Sequence, residues 1–194
     1  MRGRILAHNG EEDFMQIRQT NINPVITDDE KRIREILDQV FDPEIPVLSI
    51  TDLGIVREIW PQGKPGGDHN GPEIVITPTY SGCPAMDMIA VNIRMAMLEH
   101  GYQNIKITSV LSPAWTTDWM TEKGKQRLAE YGIAPPNPKQ QVCNNELFAP
   151  HEAVQCPRCE SWHTKRLSEF GSTACKALYQ CENCHEPFDY FKCH

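Results

Sequence analysis

The sequence predicts an α+β fold: a small three-stranded sheet with packed helices, in the order α-β-β-α-β-α, followed by a C-terminal zinc ribbon. Three observations predict it. Apolar residues recur at helical spacing in three segments, and between them lie short stretches rich in β-branched side chains. The prolines Pro135, Pro136 and Pro138 then break any helical pattern. Beyond the break come two Cys-x-x-Cys pairs, Cys156 with Cys159 and Cys181 with Cys184, separated by 21 residues. The chain divides accordingly into a weakly structured N-terminal segment (1–26), an α/β domain (27–135), a linker (136–154) and the ribbon (155–194).

In the α/β domain, Thr27 and Glu30 have capping-box spacing, and Asp28, Asp29 and Glu30 complement a helix dipole. Ile33, Ile36, Leu37, Val40 and Phe41 form one apolar face, and Asp42 with Pro43 ends that helix. Residues 53–60 and 73–80 read as strands, and the Gly- and Pro-rich stretch between them predicts a hairpin. A second helix over 84–101 places Met86, Ile89, Ala90, Ile93, Met97 and Leu98 in apolar positions. A third strand over 104–111 and a third helix over 117–131, closed by Gly132, complete the domain.

Composition narrows the function. No run approaches the roughly 18 apolar residues of a membrane span. The first 26 residues lack the apolar core and cleavage site of a secretory signal, so a reducing cytoplasm is expected. The net charge is −7, without the clustered Lys and Arg that nucleic acid requires. Protein partners fit better. Paired Glu-x-x-His motifs on the predicted helices, a dinucleotide-binding Gly-rich loop and a plant-type ferredoxin cysteine pattern are all missing, which argues against an enzyme carrying those centres.

In the tail, each Cys-x-x-Cys turn brings two thiolates to one ion, and the chain between them folds the second pair onto the first. A closed four-sulfur tetrahedron is the usual geometry of structural zinc, although such sites also accept iron or an iron–sulfur cluster. Cys175, Cys193, His163, His185 and His194 are further candidate ligands, read here as packing or exposed residues because four ligands already close the site. Phe188, Tyr190 and Phe191 are expected to form the ribbon's small core. No role is assigned to Cys143.

Cys83 stands apart. It lies between a strand and a helix, after Gly82, which permits a tight turn, and before Pro84, which suits a first helical position. A thiol at a helix N-terminus is expected to have a lowered pKa and to act as nucleophile, redox group or soft-metal ligand; the alternative is a small buried residue capping the turn. As a ligand it needs others, from a second copy of the chain, a partner protein or a small thiol. Asp42, Glu44 and Asp52 are supporting candidates in the loop after the first helix, where Asp is otherwise a common turn residue.

The segments DPEIPVLSI (42–50), DLGIV (52–56) and TYSGCP (79–84) resemble the iron–sulfur assembly domain shared by SufT-like proteins and cytosolic iron–sulfur targeting factors. With WTTDW (115–119), FGSTACKA (170–177) and EPFDYFKC (186–193), the chain from Thr27 onward resembles the PaaD family of aerobic phenylacetate degradation. The resemblance implies an accessory factor for maturation of a multicomponent phenylacetyl-CoA epoxidase. It would assist assembly or delivery of a transient iron–sulfur cluster, above all to the reductase component, in contact with the iron–sulfur assembly machinery. The family's reactive cysteine maps onto Cys83 and its acidic hallmark onto Asp42 and Glu44. The competing readings are an integral epoxidase subunit and a zinc-ribbon module that binds nucleic acid or protein.

Overall fold

Thr27 caps helix α1 (Asp28–Leu37): its hydroxyl accepts the Glu30 N–H at 3.1 Å, with three acidic residues in the first turn. This is a computed structural model, and it describes residues 27–136 and 154–192. The expected N-terminal segment, most of the linker, Cys143, Cys193 and His194 therefore lie outside the described residues. α1 ends at Leu37, short of the expected Phe41. Val40 is still buried, but Phe41 is 42% exposed and bridges antiparallel to Ser49, so the chain has already left the helical path.

Strands β1 (Val56–Trp60) and β2 (Glu73–Ile76) form the predicted antiparallel hairpin, with an irregularity between Val56 and Glu58. All four residues of β2 are buried, as its central position requires. β3 (Lys106–Ser109) pairs parallel to β2, and helix α2 (Ala85–Glu99) makes the crossover that parallel pairing needs. Ile89, Ile93 and Met97 of α2 are fully buried in one cluster with Ile33 and Leu37. Leu98, expected inward, is 56% exposed. It lies about 100° round the helix from Met97, on a face it shares with the exposed Met88, Val91 and Met95.

The third helix also starts later than expected. Thr117–Trp119 is a short 3-10 turn, and Met120 and Thr121 then have extended backbones. Thr121 caps helix α3 (Glu122–Tyr131) by accepting the Gly124 N–H at 2.9 Å, and Gly132 ends it at φ 94°. No helix among the described residues is long and apolar enough to cross a membrane.

The ribbon is a sheet of four strands in the order β4-β7-β6-β5, made of β4 (Ile133–Ala134), β5 (Thr164–Ser168), β6 (Lys176–Cys181) and β7 (Pro187–Phe191). β4 comes straight from α3 and pairs parallel with β7. The ribbon's edge is thus formed by residues the sequence assigns to the first domain. Tyr179, Phe188 and Tyr190 pack around the cysteine knuckles as a second cluster. Phe191, expected in that core, belongs instead to the first: it meets Trp115 edge-on, ring centroids 5.9 Å apart. Trp115 is itself held by donating its indole N–H to the Leu53 carbonyl at 3.1 Å.

Candidate metal centre and functional thiol

The ribbon knuckles bring Cys156, Cys159, Cys181 and Cys184 together, with all four sulfurs within 4.8 Å of one another. Cys156 lies 3.8 Å from Cys184, and Cys159 lies 3.5 Å from Cys181. A tetrahedron with metal–sulfur bonds of about 2.3 Å has edges of about 3.8 Å, so the donor set fits one zinc-sized ion. Cys181 is already favoured as thiolate: the N–H of Cys184, then that of Asn183, lowers its pKa to about 6 against burial. Neither His163 nor His185 joins the cluster. A metal here has four protein ligands and no open position, which makes it a scaffold.

The second thiol is built differently. The Cys83 N–H bonds the Tyr80 carbonyl at 3.1 Å, closing the turn before α2. Gly82 is not in a left-handed conformation, so the turn does not depend on the freedom a glycine supplies. Pro84 stands at the N-cap position and offers no side-chain cap. The Ala85 N–H is the backbone group of α2 that favours the Cys83 thiolate. The expected lowering of its pKa does not follow. Burial pushes the thiol up, the Ala85 N–H opposes this, and the carboxylates of Glu44 and Asp42 with the Cys175 thiol raise it further. Desolvation and neighbouring negative charge outweigh the helix terminus.

The candidates from the loop after α1 separate. Asp42 is buried, and its carboxylate accepts the N–H groups of Glu44 at 2.7 Å and Ile45 at 2.9 Å, shaping the turn that presents Glu44. Burial pushes its pKa up, against those two bonds and the charge of Lys176. Both acids act on Cys83. Asp52 is engaged elsewhere. It accepts from the Thr121 hydroxyl at 2.8 Å and the Arg127 guanidinium at 2.9 Å, and its backbone carbonyl accepts the Thr121 N–H. Gly124 lets α3 close on it, since a Cβ there would stand 2.9 Å from the Asp52 backbone oxygen. Asp52 thereby clamps the start of α3.

Sequence reasoning set Cys175 aside. It is buried in the first domain's core cluster, away from the ribbon ligands, and is one of the groups acting on Cys83. Tyr80 completes the neighbourhood: burial first, then the Cys83 thiol, pushes its hydroxyl pKa up. The signal available in the sequence was the FGSTACKA segment, rich in small residues that a ribbon strand does not need.

Comparison with known proteins agrees with this two-part layout. Residues 30–101 match a family model described as iron–sulfur cluster assembly protein, and residues 140–192 match one described as PaaD zinc beta ribbon domain. The chain is 54% identical over 158 residues to a putative subunit of the 1,2-phenylacetyl-CoA epoxidase of Escherichia coli (strain K12), covering 81% of this chain and 89% of that one. It is 33% identical over 100 residues to an Fe-S protein maturation auxiliary factor of Porphyromonas gingivalis, covering 51% and 90%. Among solved structures, the DUF59 domain of unknown function from Bacillus anthracis aligns at 24% identity with a TM-score of 0.45, over 52% of this chain and 91% of that one. Similarity to the Escherichia coli relative over most of both chains, with both family models met in one chain, shows that the protein belongs to the PaaD family, in which an iron–sulfur assembly domain is joined to a zinc ribbon.

Proposed function

We propose that the protein is a maturation factor for a phenylacetyl-CoA epoxidase, assisting assembly or delivery of an iron–sulfur cluster to the reductase component through Cys83. The observation that carries this reading is the contrast between a saturated four-sulfur site and a half-buried thiol at the start of α2 whose surroundings are electronegative. The ribbon holds zinc and serves as a rigid docking module. Cys83 ligates the cluster transiently, and Asp42 and Glu44 favour the incoming cation through their negative field. Partners on this reading are the reductase and the cellular iron–sulfur machinery. Free thiols at both sites call for a reducing compartment, hence the cytoplasm.

The test is Cys83→Ser in cells producing the epoxidase. The variant should keep its fold and zinc while the reductase emerges with an empty cluster site. Full cluster occupancy in the reductase would contradict the proposal. The Escherichia coli relative is itself described as a putative epoxidase subunit, which supports a second reading as an integral part of that complex. Purified epoxidase that turns over at full rate without this chain excludes it.

A further inference from the structure

Helices α1 and α2 pack against each other and share one core cluster with the sheet, yet their outer faces differ. α1 turns Asp28, Asp29, Lys31 and Arg32 to solvent, as an ordinary surface helix does. α2 does not. Met88, Val91, Met95 and Leu98 are each between 46% and 56% exposed. At 100° per residue they fall within about 80° of the helix surface, directly opposite the buried Ile89, Ile93 and Met97. A helix that is apolar on both sides is built to be covered on both sides. Among the described residues, nothing of this chain covers the outer one.

The spacing of the stripe indicates what does. Its intervals are three, four and three residues, the a-d-a-d pattern of a helix that packs against another helix. The pattern is also symmetric about position 93. A second copy of α2 running antiparallel therefore meets it layer for layer, Met88 against Leu98 of the second copy and Val91 against its Met95. The flanking charges fit the same arrangement. Asp87 and Arg94 lie on one edge of the stripe, both exposed and neither ion-paired among the described residues. In the antiparallel pair, Asp87 and Arg94 of the second copy stand about 7.5 Å apart along the axis, within the reach of an Asp and an Arg side chain. Symmetry makes that contact twice. On the other edge Glu99 meets Asn92 of the second copy. A parallel pair would instead set the two helix dipoles side by side in the same direction.

We propose that the outer face of α2 is the interface of a two-fold homodimer, with the two α2 helices antiparallel through Met88, Val91, Met95 and Leu98 and latched by Asp87–Arg94 pairs. This pairing fixes what a second copy does for Cys83. The thiol stands ten residues from the symmetry centre, so the two copies of Cys83 lie at opposite ends of the helix pair, roughly 30 Å apart. The second copy supplies no ligand to Cys83. The dimer carries two separate thiols, each facing its own partner. The inference goes beyond the maturation reading and does not depend on it.

Four apolar side chains and two ion pairs make a small interface, so micromolar dimerisation is expected. The test is sedimentation equilibrium of the full chain, zinc-loaded and kept reduced so that no disulfide contributes, from about 1 to about 300 μM. The parent should pass from the mass of one chain to that of two. Met95→Lys, at an already exposed position, should remain a monomer with unchanged helical content and zinc. Asp87→Arg and Arg94→Asp should each weaken pairing roughly tenfold, because like charges then meet. Mixing these two variants should restore it, since every edge contact of the antiparallel heterodimer again joins opposite charges. A parallel pair predicts no such rescue. A parent that stays a monomer throughout, a Met95→Lys variant that dimerises like the parent, or a mixture no tighter than the single variants overturns the inference. The maturation reading stands or falls separately, on Cys83→Ser.

Discussion

Around Cys156, Cys159, Cys181 and Cys184 every thiol faces three others, whereas Cys83 joins no such cluster and is half-buried against the first domain's core, its thiol pushed up by burial and by the charge of Glu44 and Asp42. The ribbon site is made by two local turns and closes on itself. The surroundings of Cys83 are made by segments far apart in sequence and, among the described residues, gather no closed ligand set. On the proposed reading, saturation, more than the presence of sulfur, separates a scaffold from a site able to pass a cluster on.

The largest effect should come from opening the closed site. Cys181→Ser removes a ligand from a metal whose binding contributes roughly 10–16 kcal/mol in small zinc peptides. Zinc content should fall to zero, and residues 154–192 should become protease-sensitive while the sheet of β1–β3 resists. Phe191→Ala attacks the seam rather than the metal. It removes the edge-on contact with Trp115 and should cost about 3–5 kcal/mol in urea unfolding, with zinc retained. Loss of zinc in that variant would mean that the ribbon does not hold its metal independently of the domain contact.

Asp52 and Asp42 offer a finer contrast between clamp and site. Asp52→Asn weakens the bonds from Arg127 and Thr121 and should cost about 1–3 kcal/mol, leaving maturation per folded molecule unchanged. Asp42→Asn should behave in the opposite way. Burial holds the Asp42 pKa above its ordinary value, so the folded state favours the proton. Its contribution to stability is present below the unfolded-state value and is lost as pH rises through the folded one. The neutral amide escapes that loss and still offers an oxygen to the Glu44 and Ile45 N–H groups. The variant should be more stable than the parent at neutral pH by on the order of 1 kcal/mol or less. The gap should close in mild acid, as matched urea midpoints would show. Lower maturation despite that stability would identify the Asp42 charge as part of the site.

The same division governs what could be read from the chain alone. The knuckles were legible because Cys-x-x-Cys is a local motif whose geometry follows from spacing. The order of helices and strands was legible from periodicity, and the family resemblance from short motifs. Helix α1 overran to Phe41 because an apolar residue at the right spacing does not reveal that the backbone has turned. β4 escaped notice because two residues before a proline carry no strand signal, and their pairing partner in β7 lies more than fifty residues on. Cys175 was set aside for the same reason: its neighbours belong to another domain. The direction of the Cys83 shift was misjudged because a helix terminus is visible in sequence while burial is not.

On this account, cluster chemistry depends on Cys83 while the zinc ribbon only supports it. The most direct test loads the full chain with iron and sulfide under anaerobic conditions, mixes it with reductase stripped of its cluster, and follows the reductase's visible absorption. The unmodified chain should restore that absorption, and Cys83→Ser, with one zinc still in its ribbon, should leave it at the level of free iron and sulfide. Restoration by Cys83→Ser at the parent's rate would contradict the account.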